Sequence, residues 1–206
     1  HPDGTLDAGF NPGAGSQVQC LAPQASGRIV VAGTFTTFGG QPRQYLARVN
    51  EDGTLDAGFN PGAGSQVYCL AVQADGKMLV GGSFVTLAGQ PRNCIGRLNA
   101  DGTVDDGFNP GAGAQVHCLA LQPDGRILVG GSFETLAGQT RSRLGRLINT
   151  EPATQAMGYS DSTITWLRGG SSPEVWGAAF EHSTDGLTWV GLGRQRAFPA
   201  GGKWPG

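Results

Sequence analysis

The stretch Asp3-Gly4-Thr5-Leu6-Asp7-Ala8-Gly9-Phe10-Asn11-Pro12-Gly13 returns, nearly letter for letter, from Asp52 and again from Asp101, each time 49 residues further on and without a gap. The same step carries Val18-Gln19-Cys20-Leu21-Ala22 onto Val67-Tyr68-Cys69-Leu70-Ala71 and Val116-His117-Cys118-Leu119-Ala120. It also aligns Phe35 with Phe84 and Phe133, Arg43 with Arg92 and Arg141, and Arg48 with Arg97 and Arg146. A period this regular means one supersecondary unit used three times, each copy burying its faces against its neighbours. Residues 1–149 are read as three such units with boundaries near 50 and 99, and residues 150–206 as a separate module.

Inside a unit the signals are β. Gln66 to Val72 reads as a strand, Asp75-Gly76 as a hairpin turn in which Gly takes a positive φ, and Lys77 to Phe84 as a second strand. Gly89-Gln90-Pro91 reads as a break, Asn93 to Asn99 as a third strand, and Thr103 to Phe108 as a short further segment. Helical spacing of apolar residues is absent. Three to four short antiparallel strands per unit match a propeller blade, whose sheet is covered on both faces. Met78-Leu79-Val80 and Ile127-Leu128-Val129 suit such a doubly covered strand, and Gly81-Gly82 and Gly130-Gly131 remove side chains where backbones crowd. Three blades are fewer than the roughly four to eight of a closed ring. The expectation is an incomplete ring or an open array, whose uncovered edges invite strand addition from another copy.

Composition narrows the function. The 36 Gly and 12 Pro fall at fixed offsets and follow no Gly-X-Y period, so they are turn residues. With 14 basic and 16 acidic residues the net charge is −2, which provides no footprint for nucleic acid or anionic membranes. No apolar run reaches the length of a transmembrane helix. The opening at His1, in mid-repeat and without Met, reads as a processed or truncated boundary.

Phe-Asn-Pro-Gly, the Asp-Gly-Lys/Arg-Ile/Met-Leu-Val-Gly-Gly-Ser-Phe run, Gly-Gln-Pro-Arg and Arg-Leu-Asn-x-Asp-Gly-Thr-Val/Leu-Asp resemble the bacterial delta-60 repeat, a β-propeller family, over roughly residues 1 to 150. The resemblance implies large secreted or surface proteins without an assigned biochemical role, and it offers no catalytic residues to carry over. A Cys in each Val-x-Cys-Leu-Ala departs from the small apolar residue more usual there.

After Asn149 the text changes: all four Trp, at 166, 176, 189 and 204, lie here, whereas all four Cys lie earlier. Glu151-Pro152-Ala153 reads as a linker, Ser162 to Leu167 and Val175 to His182 as strands, and Asp185-Gly186 as a turn into Leu187 to Leu192. Trp166, Trp176 and Trp189 are expected to share one core. The module resembles part of an immunoglobulin- or fibronectin-like sandwich at about half the ~100 residues such a sandwich needs. It is expected to pack on the last repeat or on another chain, and the tail after Pro199 reads as a loop that stops short.

Candidate chemistry is thin. Cys20, Cys69 and Cys118 are read as small buried hydrophobes at one repeated site, against the alternative of a thiolate site joined by His117. Cys94 is left open to pairing with Cys69 or Cys118. Asp52 with Asp56, and Asp101 with Asp105, place carboxylates four residues apart, a weak calcium motif that turn chemistry explains without an ion. Arg43, Arg92 and Arg141, with Arg48, Arg97 and Arg146, form two rows that either pair with turn carboxylates or meet an anionic glycan or peptide. No Ser-His-Asp set and no phosphate-cradling loop is assembled locally, so neither an enzyme nor a cofactor is expected.

The reading is an all-β, non-enzymatic extracellular or cell-surface protein of tandem blades plus a small Trp-rich β module. It self-assembles with other copies, or with the rest of a larger repeat protein, through its β edges and C-terminal module. The alternative is a carbohydrate- or peptide-binding propeller. Interaction candidates are Arg43, Arg92, Arg141, Trp166, Trp176 and Trp189.

Overall fold

A computed structural model describes residues 4–149, 152–160, 163–173, 177–183 and 187–196. Among them every regular element is a strand. The first blade runs β1 (Val18–Pro23), β2 (Ile29–Gly33), β3 (Thr37–Phe38), β4 (Gln41–Pro42) and β5 (Leu46–Val49). The second repeats it as β6 (Val67–Val72), β7 (Met78–Gly82), β8 (Thr86–Leu87), β9 (Gln90–Pro91) and β10 (Ile95–Leu98). The third follows as β11 (Val116–Leu121), β12 (Ile127–Gly131), β13 (Thr135–Leu136), β14 (Gln139–Thr140) and β15 (Leu144–Leu147). Each blade is an antiparallel three-stranded sheet in the order β1-β2-β5, β6-β7-β10 or β11-β12-β15. The first strands lie side by side, β6 touching both β1 and β11, and the blades form an open array and not a ring.

Local chemistry sets each piece. Gly27, Gly76 and Gly125 close the first hairpin at φ near +80°, and Gly76 N–H donates back to the Gln73 carbonyl at 2.8 Å. The expected break at Gly89-Gln90-Pro91 is instead half of a miniature hairpin. Ala88 and Gly89, both at positive φ, reverse the chain so that Leu87 pairs with Gln90. Two positive-φ residues are what a type I′ turn demands, and Pro91 sits where its missing N–H leaves no gap in the short ladder. The crowding expected at Gly81-Gly82 is real: a Cβ on Gly81 would lie 2.5 Å from Cys69 Sγ, and one on Gly82 would strike the Gln66 carbonyl.

Two apolar clusters fill the spaces between blades. Leu46, Phe59, Val67, Met78 and Phe84 belong to one, and Leu79, Ile95, Val116, Ile127 and Phe133 to the next. Both are fed by neighbouring repeats, so each blade is stable as part of a stack.

The repeat boundaries at 50 and 99 cut through structural units. After β5 the chain folds back so that Leu55 bridges Val49, and after β10 Val104 bridges Leu98. Residues 52–59 and 101–108 therefore act as straps closing the blade before them.

Beyond the blades, β16 (Ala153–Ser160) pairs with β17 (Thr163–Gly170), and β18 (Gly177–His182) with β19 (Val190–Arg196), as separate two-stranded ribbons. Ala153, expected in a linker, begins a strand, and the strand expected over 187–192 starts at Val190. The Asp185-Gly186 turn lies outside the described residues. The first ribbon is anchored on two blades: Ala74 N–H donates to Ser172 O at 2.7 Å, Gln73 bridges Pro173, and Ser171 crowds Gly125. No helix among the described residues is long and apolar enough to cross a membrane.

Candidate functional site

The most organised polar arrangement is a clip joining each strap to its blade. On β5, Arg48 donates from Nε to Asp56 Oδ2 at 2.8 Å and from Nη1 to the Ala100 carbonyl at 2.6 Å. Its guanidinium lies 4.3 Å from the centroid of the Phe59 ring. On β10, Arg97 repeats the arrangement with Asp105 at 2.8 Å, Asn149 Oδ1 at 2.8 Å, and the Phe108 ring at 4.8 Å. Both Arg are buried, so the cation is satisfied by a carboxylate, a carbonyl or amide oxygen and a ring face. Burial works against ionisation of Asp56, but Arg48, the Gly58 N–H and Arg28 outweigh it and hold its carboxyl below the usual range. At Asp105 burial is likewise outweighed, by Lys77, Arg97 and the Gly107 N–H.

These contacts place the calcium candidates. Asp56 and Asp105 are committed to guanidinium groups, whereas Asp52 accepts from Thr54 Oγ1 at 2.6 Å and Asp101 from Thr103 Oγ1 at 2.7 Å. The two carboxylates of each pair serve different neighbours. Among the described residues, no three His, Cys, Asp or Glu converge as a cluster that could hold a metal ion.

The other Arg row, read as pairing with turn carboxylates or meeting an anionic ligand, turns mostly inward. Arg43 and Arg92 are buried and donate to the Pro42 and Pro91 carbonyls at 2.8 Å. Arg92 adds Asp106 Oδ1 at 3.0 Å. Arg141 alone of the three is exposed, donating to the Thr140 carbonyl.

The thiols are free and graded in exposure: Cys69 buried, Cys20 and Cys94 half-buried, Cys118 exposed. Burial pushes Cys20 up to about 12 and raises Cys69 and Cys94 as well. A uniformly buried row was expected, and Cys118 departs from it. One residue before each of these first-strand Cys the ladder slips, between Val18 and Cys20, Val67 and Cys69, and Val116 and Cys118. The bulged residues are Gln19, Tyr68 and His117. Tyr68 and His117 stack at 5.3 Å, and His117 Nε2 hydrogen-bonds Ser132 Oγ at 2.9 Å. Nothing in the spacing signalled this pair.

Equivalent apolar positions differ in exposure along the array. Val67 and Val116 are fully buried, but Val18, the same position in the first blade, is 42% exposed. Leu46 and Ile95 are fully buried, but Leu144 in the third blade is 65% exposed. Beside β15 lies a groove of about 390 Å³ lined by Phe108, Pro110, Leu136, Arg141, Arg146 and Leu147 among others.

Of the Trp candidates, Trp166 is half-buried with the Arg168 guanidinium 5.1 Å over its ring. Trp189 is 61% exposed, against the expectation of a shared core. Trp176 lies outside the described residues.

Compared with known families, residues 24–59, 73–108 and 122–147 each match the model described as a domain of unknown function (DUF5122) beta-propeller. The first two matches span a blade from its first hairpin turn through its strap, which is the structural phase of the unit and not the phase of the chain start. Neither the curated proteins nor the solved structures provided a match.

Proposed function

The repeats of this chain match the DUF5122 β-propeller model, and from that premise we propose that the protein is a non-enzymatic structural module that assembles with copies of itself through the face of its third blade. The carrying observation is the exposure of Leu144 on the third blade, at a position that the first two blades bury completely. Fully burying such a side chain is worth about 1.5–3 kcal/mol. The face of the third blade is one half of an inter-blade contact that the chain already makes twice, so a like blade from another copy suits it. The commitment of Asp56 and Asp105 to Arg supports a structural use of these charges. The resemblance to delta-60 repeats favours an extracellular or cell-surface setting, which surface labelling of producing cells would test.

Sedimentation velocity tests the association. The expected species is larger than one chain and shifts toward monomer in Leu144→Glu. A monodisperse monomer at all accessible concentrations rejects the reading.

A second reading, glycan or peptide binding, is favoured by the stacked Tyr68 and His117 on the bulges. Aromatic faces beside hydroxyl and imidazole groups suit sugar rings or peptide side chains. A glycan array whose signal disappears in His117→Ala would support it, and an array without signal would not.

A further inference from the structure

Straps close the first two blades but not the third, and the residue types differ accordingly. Where Asp101-Gly102-Thr103-Val104-Asp105 leads to Phe108, the equivalent positions read Thr150-Glu151-Pro152-Ala153-Thr154 and lead to Met157. The Asp-Gly turn, the Arg-binding carboxylate and the aromatic ring are all replaced. Pro152 also lacks the N–H that Thr54 and Thr103 donate to Asp52 and Asp101. Leu55 bridges Val49 and Val104 bridges Leu98, but among the described residues no bridge joins Ala153 to Leu147. Ala153 pairs instead with Gly170, as the start of β16.

The groups that a strap would engage stand open on the third blade. Arg48 and Arg97 are buried against Asp56 and Asp105, but Arg146, the same position on β15, is exposed. Asn50 Nδ2 donates to Thr54 Oγ1 and Asn99 Nδ2 to Thr103 Oγ1, both at 3.0 Å. At the third such Asn, Arg97 holds the Asn149 Oδ1 at 2.8 Å, and Nδ2 of the same amide is buried with no acceptor among the described residues. A buried donor left unpaired is costly. Phe59 is fully buried, with Gly102 of the next Asp-Gly turn against its ring, whereas Phe108 lines the groove beside β15. Half-buried Leu147 and exposed Ile148 complete its apolar wall.

We propose that this groove binds an extended peptide of the strap type from a partner protein: an Asp-Gly turn, Thr, an aliphatic residue, Asp, and an aromatic residue three positions after that Asp. The occupant follows from what fills the equivalent space in the two blades before it. Charge agrees, since Arg141 and Arg146 line the groove and no carboxylate does among the described residues. Asp124 feels the Arg146 charge but is paired with Arg126 at 2.7 Å. The peptide adds as a strand to the outer edge of β15. Its aliphatic residue bridges Leu147, and the next N–H donates to the Arg146 carbonyl, as Asp56 and Asp105 donate to Arg48 and Arg97 at 2.8 and 2.9 Å. Its Thr hydroxyl accepts from Asn149 Nδ2, and its second Asp takes the Arg146 guanidinium. Its aromatic ring lies under that guanidinium as Phe59 lies under Arg48. Leu144 does not line the groove, so this site goes beyond the self-assembly face.

A fluorescein-labelled synthetic peptide with the sequence of residues 101–110 tests this against the full chain by fluorescence anisotropy. Saturable binding of one peptide per chain is expected, and none by a scrambled peptide. Arg146→Glu in the chain, at an exposed position, and Asp105→Lys in the peptide should each weaken binding by about 10-fold or more. Combining the two altered partners should restore most of the affinity, because opposite charges again meet. Absence of saturable binding to the wild-type chain overturns the proposal, and is the result expected if other residues of the chain or a second copy fill the groove. Binding that ignores Arg146→Glu, or that the swapped pair does not recover, overturns it as well.

Discussion

Arg97 meets Asp105 at 2.8 Å with only 2% of the Arg side chain and 13% of the Asp side chain exposed, so a strap is held to its blade by an ion pair almost out of water. Such a pair is costly to assemble and costlier to break, because removing one partner strands the other charge. Asp105→Ala is expected to lower stability by about 3–5 kcal/mol in urea unfolding. Arg126 pairs with Asp124 at 2.7 Å with both side chains near half exposed, and Arg126→Ala is expected to cost at most about 1 kcal/mol. Equal losses at the two sites would contradict the clip as the blade's fastening.

Acid should release the straps. The carboxyls of Asp56 and Asp105 are held below the usual range in the folded protein, whereas an unfolded Asp titrates near ~3.9. A depressed folded value means that the unfolded chain takes up protons first. The stabilisation is then complete above about pH 4 and disappears as pH falls through the folded-state values. Thermal midpoints measured from pH 7 to pH 2 should show a plateau followed by a fall below about pH 4. In Asp105→Asn that fall should be shallower.

Thiol chemistry should follow burial. A short iodoacetamide pulse at pH 8, read by mass spectrometry, should label exposed Cys118 first and half-buried Cys94 later. Cys69 and Cys20, whose ionisation burial opposes, should react only after denaturant is added. Rapid modification of Cys69 in the native protein would contradict the packing of the second blade on the third.

Close backbone approach makes a sharp contrast among glycines. A Cβ on Gly82 strikes the Gln66 carbonyl, which belongs to backbone and cannot rotate away, whereas one on Gly158 meets nothing within 4 Å. Gly82→Ala should cost about 1–3 kcal/mol, and Gly158→Ala should stay within about 0.5 kcal/mol of wild type. Chemical denaturation of both variants checks the difference.

Much of this was legible in the amino-acid order. The strands over 67–72, 78–82 and 95–98 fall within the spans that periodicity and turn residues predict, because alternation and positive-φ glycines act over a few residues. The hairpin at 86–91 was hidden because Gly and Pro, read one at a time, are breakers, and only pairing shows them as turn and edge. Whether Arg43 and Arg92 pair within the fold or meet a ligand was open in the sequence because nothing local reveals that carbonyls await them inside the blade. Trp189 read as core because an aromatic signals burial without naming the partner that covers it.

A perfectly repeated string has a period but no marked origin, so the order of residues determined that one β unit occurs three times, where its turns fall, and which glycines it requires. Where a unit begins is a matter of contact in space. The bridges from Leu55 to Val49 and from Val104 to Leu98 assign these Asp-Gly-Thr straps to the blades before them. Identical letters at Val18 and Val67 therefore meet opposite fates, one in solvent and one in a core, because burial belongs to the neighbour and not to the residue.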